Sequence, residues 1–112
     1  MASVFQRNLS RHGLRGMSIS LPRAWLDCHG LKPRDKVEII VKDELIIRAV
    51  PNRDSPALLR SLVLSSSKGM HITLPIWWLR FYGLKPGDRV QVIDNGDLIV
   101  RPLPKEGQGN AH

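Results

Sequence analysis

Two stretches of this chain hold arginine and lysine and no acid. Residues 1–26 carry Arg7, Arg11, Arg15 and Arg23; residues 57–87 carry Arg60, Lys68, Arg80 and Lys85. All ten Asp and Glu residues lie outside them, mostly in Asp35–Glu44 and Asp88–Asp97. Cations gathered without carboxylates between them can meet a line of phosphates with little like-charge repulsion, and releasing the counterions of those phosphates drives binding. The net charge of +7 on 112 residues points the same way, toward a polyanionic partner.

Other chemistry finds less support. His12, His29, His71 and His112 have no metal-ligand spacing with Cys28 or the carboxylates, so neither a metal nor another cofactor is expected. "SSSKG", Ser65–Gly69, lacks the leading glycine of a phosphate loop and opens no long helix. Asp43, Glu44, Asp94 and Asp97 fall at turns, where acids are ordinary. No catalytic constellation remains, and the chain does not read as an enzyme. The single cysteine, Cys28, cannot form an internal disulfide, which suits a reducing cytoplasm; it reads as a small hydrophobe. No run of about 18 apolar residues offers a membrane span, and Arg7, Arg11 and Arg15 interrupt any signal-like N-terminus.

The elements that would position the cations come in two copies. "GLKPRDKVEII" begins at Gly30 and "GLKPGDRVQVI" at Gly83, 53 positions later; Gly16–Arg48 aligns with Gly69–Arg101 without a gap, 17 of 33 positions being identical. The register extends backwards to pair Arg7 with Arg60 and Leu9 with Leu62. The units run over 3–50 and 57–103. "PNRDSP", Pro51–Pro56, reads as a linker, since its prolines sustain neither a helix nor a central strand. The polar residues 104–112 read as a frayed tail.

Each unit predicts a strand (Val4–Leu9, Leu58–Leu64), then a second after the glycine, "MSISL" or "MHITL", whose alternation is that of a half-buried strand. Pro22 and Pro75 stand at the first position of a helix of at most two turns, ended by Gly30 and Gly83. "LKPRD" and "LKPGD" are turns with proline second. A hairpin closes each unit, with two-residue turns expected at Lys42-Asp43 and Asn95-Gly96. Val37, Ile39, Leu45 and Ile47 make one apolar hairpin face, as do Val90, Val92, Leu98 and Val100. Ile40, Ile46, Ile93 and Ile99 make the opposite faces apolar too. A unit of about 50 residues cannot cover both, so the reading is that the other copy covers the second face, each side chain contributing roughly 1.5–3 kcal/mol on burial. Mainly β, one interlocked barrel of two ββαββ-type repeats is the expected fold.

The strand ending in apolar-Pro, the short helix, "GLKPGD" and the strand–turn–strand with "LII" or "LIV" resemble the AbrB/MazE/SpoVT swapped-hairpin family, "SLPRAWL" and "TLPIWWL" being similar to its archaeal-type members. The resemblance covers about nine-tenths of the chain and implies a DNA-binding transcriptional regulator with double-stranded DNA as partner. Carried over by position, it assigns DNA contact to Arg7 and Arg60, with Arg11, on the first strands, to Arg15 and Lys68 in the following loops, and to Arg80 on the helix. Asp27 stands where Arg80 has its counterpart, with Arg23 one turn earlier, so the halves are not equivalent. The antitoxins of this family carry a long C-terminal extension; the nine residues after Leu103 are too few to wrap a toxin. A protein-assembly module without nucleic acid is the alternative from another class, and a homodimer or higher oligomer is open, as is pairing within one chain or between two. Trp25 and Trp78 read as core. Trp77 reads as core-edge packing, or else as an exposed oligomer contact or base-stacking side chain; His29 reads as a cap or packing residue.

Overall fold

The computed structural model describes residues 3–13, 16–49, 58–64 and 69–103. The fold is mainly β, with two short helices and two antiparallel sheets. The first unit supplies β1 (Ser3–Asn8), β2 (Ser10–His12), β3 (Gly16–Ser20), α1 (Arg23–Cys28), β4 (Lys36–Val41) and β5 (Leu45–Arg48). The second supplies β6 (Leu58–Ser61), β7 (Val63–Leu64), β8 (Met70–Thr73), α2 (Ile76–Phe81), β9 (Arg89–Asp94) and β10 (Leu98–Pro102).

The strand orders show how the units interlock. One sheet runs β1-β9-β10-β5-β4-β6 and the other β2-β3-β8-β7. β1 pairs with the second unit's hairpin (Arg7 opposite Val90), and β6 pairs with the first unit's (Arg60 opposite Val37). The hairpins meet along β5 and β10, with Ile46 opposite Ile99; β3 meets β8, with Ile19 opposite Ile72. Every junction is therefore matched by one related by a pseudo-two-fold axis. The ladders form two open sheets, not one closed ring.

The predicted first strand breaks in both units at a buried leucine. Leu9 N–H donates to Asp88 O (2.7 Å) and Leu9 O accepts from Gly87 N–H (2.8 Å); Leu62 does the same with Asp35 O (2.8 Å) and Arg34 N–H (2.9 Å). Each leucine thus passes its strand from one sheet to the other while the turn of the opposite unit satisfies its backbone. Those turns have proline second and a left-handed third residue, Gly87 (φ 93°) or Arg34 (φ 77°).

The core forms between the sheets. Val37, Ile39, Leu45 and Ile47 and their counterparts Val90, Val92, Leu98 and Val100 are buried, against Ile19, Leu21, Ile72, Leu74, Trp25 and Trp78. Ile19, Leu21, Ile72 and Leu74 fill this face as the alternation of "MSISL" and "MHITL" predicts, but Ser18 on the other face of β3 is buried as well. The expected cover for the second hairpin face is not: Ile40, Ile46, Ile93 and Ile99 are only half-buried, because the units join edge to edge and share one inner face. The hairpin loops also differ from expectation. Val41 pairs with Leu45 and Asp94 with Leu98, leaving three-residue loops whose apex carbonyls, at Asp43 and Gly96, are taken up by the helices.

A six-residue helix is marginal alone, and these are clamped across the units. Trp25 Nε1 donates to Gly96 O (2.9 Å) and Trp78 Nε1 to Asp43 O (3.2 Å). Pro22 and Pro75 are N-caps (ψ 130° and 127°), one residue before the expected position. At the far end Gly30 and Gly83 are left-handed, and Leu31 N–H and Leu84 N–H reach back to Leu26 O and Leu79 O, closing each helix as a Schellman turn. No helix among the described residues is long and apolar enough to cross a membrane.

Candidate nucleic-acid interface

The first-strand arginines occupy equivalent places at opposite edges of the larger sheet. Arg7 and Arg60 are half-buried, and each donates from Nη1 to the carbonyl of the preceding residue, Gln6 O (3.1 Å) or Leu59 O (3.4 Å). Arg7 also lies over the Phe5 ring, 5.2 Å from its centroid. Such contacts anchor the stem and leave donors of the planar guanidinium for a phosphate oxygen. Neither arginine has an ion-pair partner among the described residues.

Strand exchange adds cations that lie far away in sequence. Asn8 pairs with Arg89, and the turn holding Lys85 is hydrogen-bonded to Leu9, so Lys85 and Arg89 of the second unit lie along the edge that carries Arg7 and Arg11; Arg7, opposite the buried Val90, is on the inner side of the ladder and Arg89, opposite Asn8, on the outer side. Arg89 Nη1 donates to Gln6 Oε1 (3.3 Å). At the other edge Lys36 pairs with Ser61 and the turn holding Lys32 and Arg34 bonds to Leu62, which brings three cations of the first unit to the strand that carries Arg60, Lys36 on the outer side of the ladder and Arg60, opposite the buried Val37, on the inner side. The acids within these turns are occupied: Asp35 Oδ2 accepts Lys32 N–H and Asp88 Oδ2 accepts Lys85 N–H, both at 2.8 Å. Lys32, Arg34, Lys36, Lys85 and Arg89 were missed as site residues. Their signal was the repeat combined with the exchange, since only a hairpin crossing to the other unit carries them to the first-strand arginines.

The remaining assigned positions separate. Arg11 is exposed on β2, opposite Met17, while its counterpart in the second unit is the exposed Leu64. Arg23 is exposed but lies 4.0 Å from Asp27, so the first helix carries a paired charge. Arg80 is exposed near the end of α2 with no carboxylate in ion-pair range among the described residues. Arg15 and Lys68 lie outside the described residues.

The helices correct two assignments and support a third. Trp77 is exposed (60%), as is Phe81 (78%), and Cys28 is on the surface instead of acting as a small core residue. A helix of six residues buries one stripe, filled here by Trp25-Leu26 and Trp78-Leu79, so neighbouring positions turn outward. His29 packs its ring 5.0 Å from that of Trp25 and sets Nε2 at 3.2 Å from Gly96 O. Its counterpart Tyr82 donates its hydroxyl to Asp43 O (2.7 Å). Beside it Trp77, Trp78, Phe81, Tyr82, Lys42 and Asp43 line an open groove of about 230 Å³. No group of three or more His, Cys, Asp or Glu able to hold a metal ion occurs among the described residues.

No family model, no curated protein and no solved structure matches this chain.

Proposed function

We propose that this protein is a DNA-binding regulator of the AbrB/SpoVT type, built as two swapped-hairpin units in one chain. The observation that carries the reading is the equivalent placing of Arg7 and Arg60 at the two edges of the larger sheet, with Arg11, Lys85 and Arg89 along one edge and Lys32, Arg34 and Lys36 along the other, related by the pseudo-two-fold axis. Five strand spacings of about 4.8 Å separate β1 from β6, and Arg7 and Arg60 are offset by roughly six residues of about 3.3 Å along the strands, so the two are at most roughly 31 Å apart across the sheet. That distance fits within one turn of B-form DNA, about 34 Å. The duplex lies along the exposed side, with Arg7 and Arg60 on phosphates and Arg11 and Arg80 adding contacts on unequal sides. Because the two sides differ, the preferred site is an imperfect palindrome.

Contact with about six phosphates sets a log–log salt slope near −5. Fluorescence anisotropy on a duplex library at about 50 and about 300 mM salt tests this, and unchanged affinity would sink the phosphate reading. The exposed Trp77–Phe81 pair favours a second reading, an assembly module without nucleic acid. Replacing Arg7, Arg60, Lys85 and Arg89 by Ala separates the two: DNA binding is lost with folding intact under the first, and self-assembly is untouched under the second.

A further inference from the structure

The outer face of the larger sheet carries an apolar row that no other element among the described residues packs against. Successive registers place Val4 opposite Ile93, Ile93 opposite Ile99, Ile99 opposite Ile46 and Ile46 opposite Ile40, one residue from each of five strands. Val4 is 57% exposed and the four isoleucines are half-buried. Five β-branched side chains in line on a face that could have been polar at no loss to the core need an apolar neighbour.

Charged rows flank this one on both sides. The β5–β10 register, continued one residue each way, sets Arg101 beside Glu44 and Arg48 beside Asp97. Both are ion pairs, Arg48–Asp97 at 3.3 Å, and Arg48 also lies 3.8 Å from Glu38. Along the strands the order on β10 is therefore Asp97, Ile99, Arg101, and on β5 it is Glu44, Ile46, Arg48. An apolar centre with a polar rim is the usual anatomy of an interface.

We propose that this face docks a second copy of the chain, sheet against sheet, about a two-fold axis lying along the isoleucine row. A half-turn about that axis returns each strand over its own counterpart and exchanges the two flanking rows. Arg101 then faces the second copy's Asp97, and Glu44 faces its Arg48, so each internal ion pair becomes part of a four-charge alternation. Val4 meets Val4. The other in-plane two-fold axis, along the strands, sets Lys42 against Gln91 and leaves Glu44 facing Arg101. Six strands at about 4.8 Å, by three side-chain rows over about 17 Å, give each copy on the order of 450 Å². About 900 Å² in total is small for a specific complex, so the dimer dissociates in the range of tens to hundreds of micromolar.

Sedimentation equilibrium from about 10 µM to about 1 mM reads this directly. The full chain goes from monomer to dimer over that range. Ile46→Lys with Ile99→Lys stays monomeric, while its urea midpoint and tryptophan emission report an intact fold. The reversed pair Arg101→Glu with Glu44→Arg keeps its internal ion pair but sets like charges across the axis, weakening the dimer about tenfold or more. Should the lysine variant unfold, Ile99→Cys in a Cys28→Ser background supplies the second arm: a short bismaleimide joins two chains, and the same reagent on Phe81→Cys does not. A chain monomeric at every concentration overturns the proposal. So does a dimer indifferent to the isoleucine variant, which would move the contact to Trp77 and Phe81, or one indifferent to charge reversal.

Discussion

The two halves of this protein share a backbone and differ at the surface. Buried positions repeat almost residue for residue: Trp25 and Trp78, Leu26 and Leu79, Val37 and Val90, Leu45 and Leu98. Outward positions do not. Arg11, Ala24 and Cys28 in the first half stand where Leu64, Trp77 and Phe81 stand in the second. Of the exposed large hydrophobic residues described, only Val4 belongs to the first half; Leu59, Val63, Leu64, Trp77 and Phe81 belong to the second. The duplicated interior repeats because the two units share one core, with Ile19 opposite Ile72 and Leu45 and Ile47 opposite Val100 and Leu98. No such reciprocity binds the surface, so one half keeps a charged skin and the other an apolar, aromatic one.

The comparison breaks most visibly if the helix clamps are not equivalent. Trp25→Ala and Trp78→Ala each remove a buried indole and its hydrogen bond to the other half's loop, and each is expected to destabilise by about 3–5 kcal/mol. Urea midpoints should agree between the two; a large difference would mean that only one helix is clamped.

Next come the arginines Arg48 and Arg101, identical in the repeat but set in different surroundings. Arg48 stands against Glu38, whose side chain is 1% exposed, whereas Arg101 pairs with the half-exposed Glu44 in solvent. Arg48→Ala removes a cation standing 3.8 Å from a buried carboxylate and should destabilise by up to about 3 kcal/mol. Arg101→Ala should change stability by less than about 1 kcal/mol. Equal losses in denaturant titrations would refute the distinction.

The DNA reading is sharpened by making the halves alike. Leu64→Arg restores on β7 the cation that Arg11 supplies on β2, and should steepen the salt slope by about one unit; Arg11→Ala should flatten it by about one. Anisotropy titrations at several salt concentrations measure both, and a slope unmoved by either substitution would place β2 and β7 away from the phosphates.

The smallest effect concerns the turns. Arg34 holds φ at 77° where Gly87 holds 93°. Arg34→Gly should relieve strain and stabilise by about 1 kcal/mol, and Gly87→Arg should destabilise by a similar amount. Opposite signs in thermal melts confirm the equivalence of the turns.

Much of the fold was legible because repetition doubles every local signal. The second strands, the short helices, the Gly30 and Gly83 caps and the proline turns each occur twice and each reads the same way. Three things were not. The break at Leu9 and Leu62 depends on backbone bonds from the other unit's turn, and no local residue marks it. The three-residue loops follow from carbonyls drawn out by Trp25 and Trp78, a tertiary demand that overrides the Asn95-Gly96 preference. The outer isoleucines were read as covered because apolar residues usually are, but sequence alone does not say whether a face is closed by the fold or left outside it. Within the candidate site, Arg7 and Arg60 were visible from the repeat. Arg34, Lys36 and Arg89 became visible only once the exchange assigned each hairpin to the opposite corner.

The exchange of first strands between the units has a consequence for how the protein responds to dilution. Where two separate polypeptides must find each other to complete such a ladder, thinning the solution unfolds them, and their melting temperature drifts with concentration. Here a few residues of peptide hold the halves at an effective concentration of the order of millimolar or more. Completion of the ladder is therefore a first-order event, and the cell gets a folded unit from the first molecule it makes.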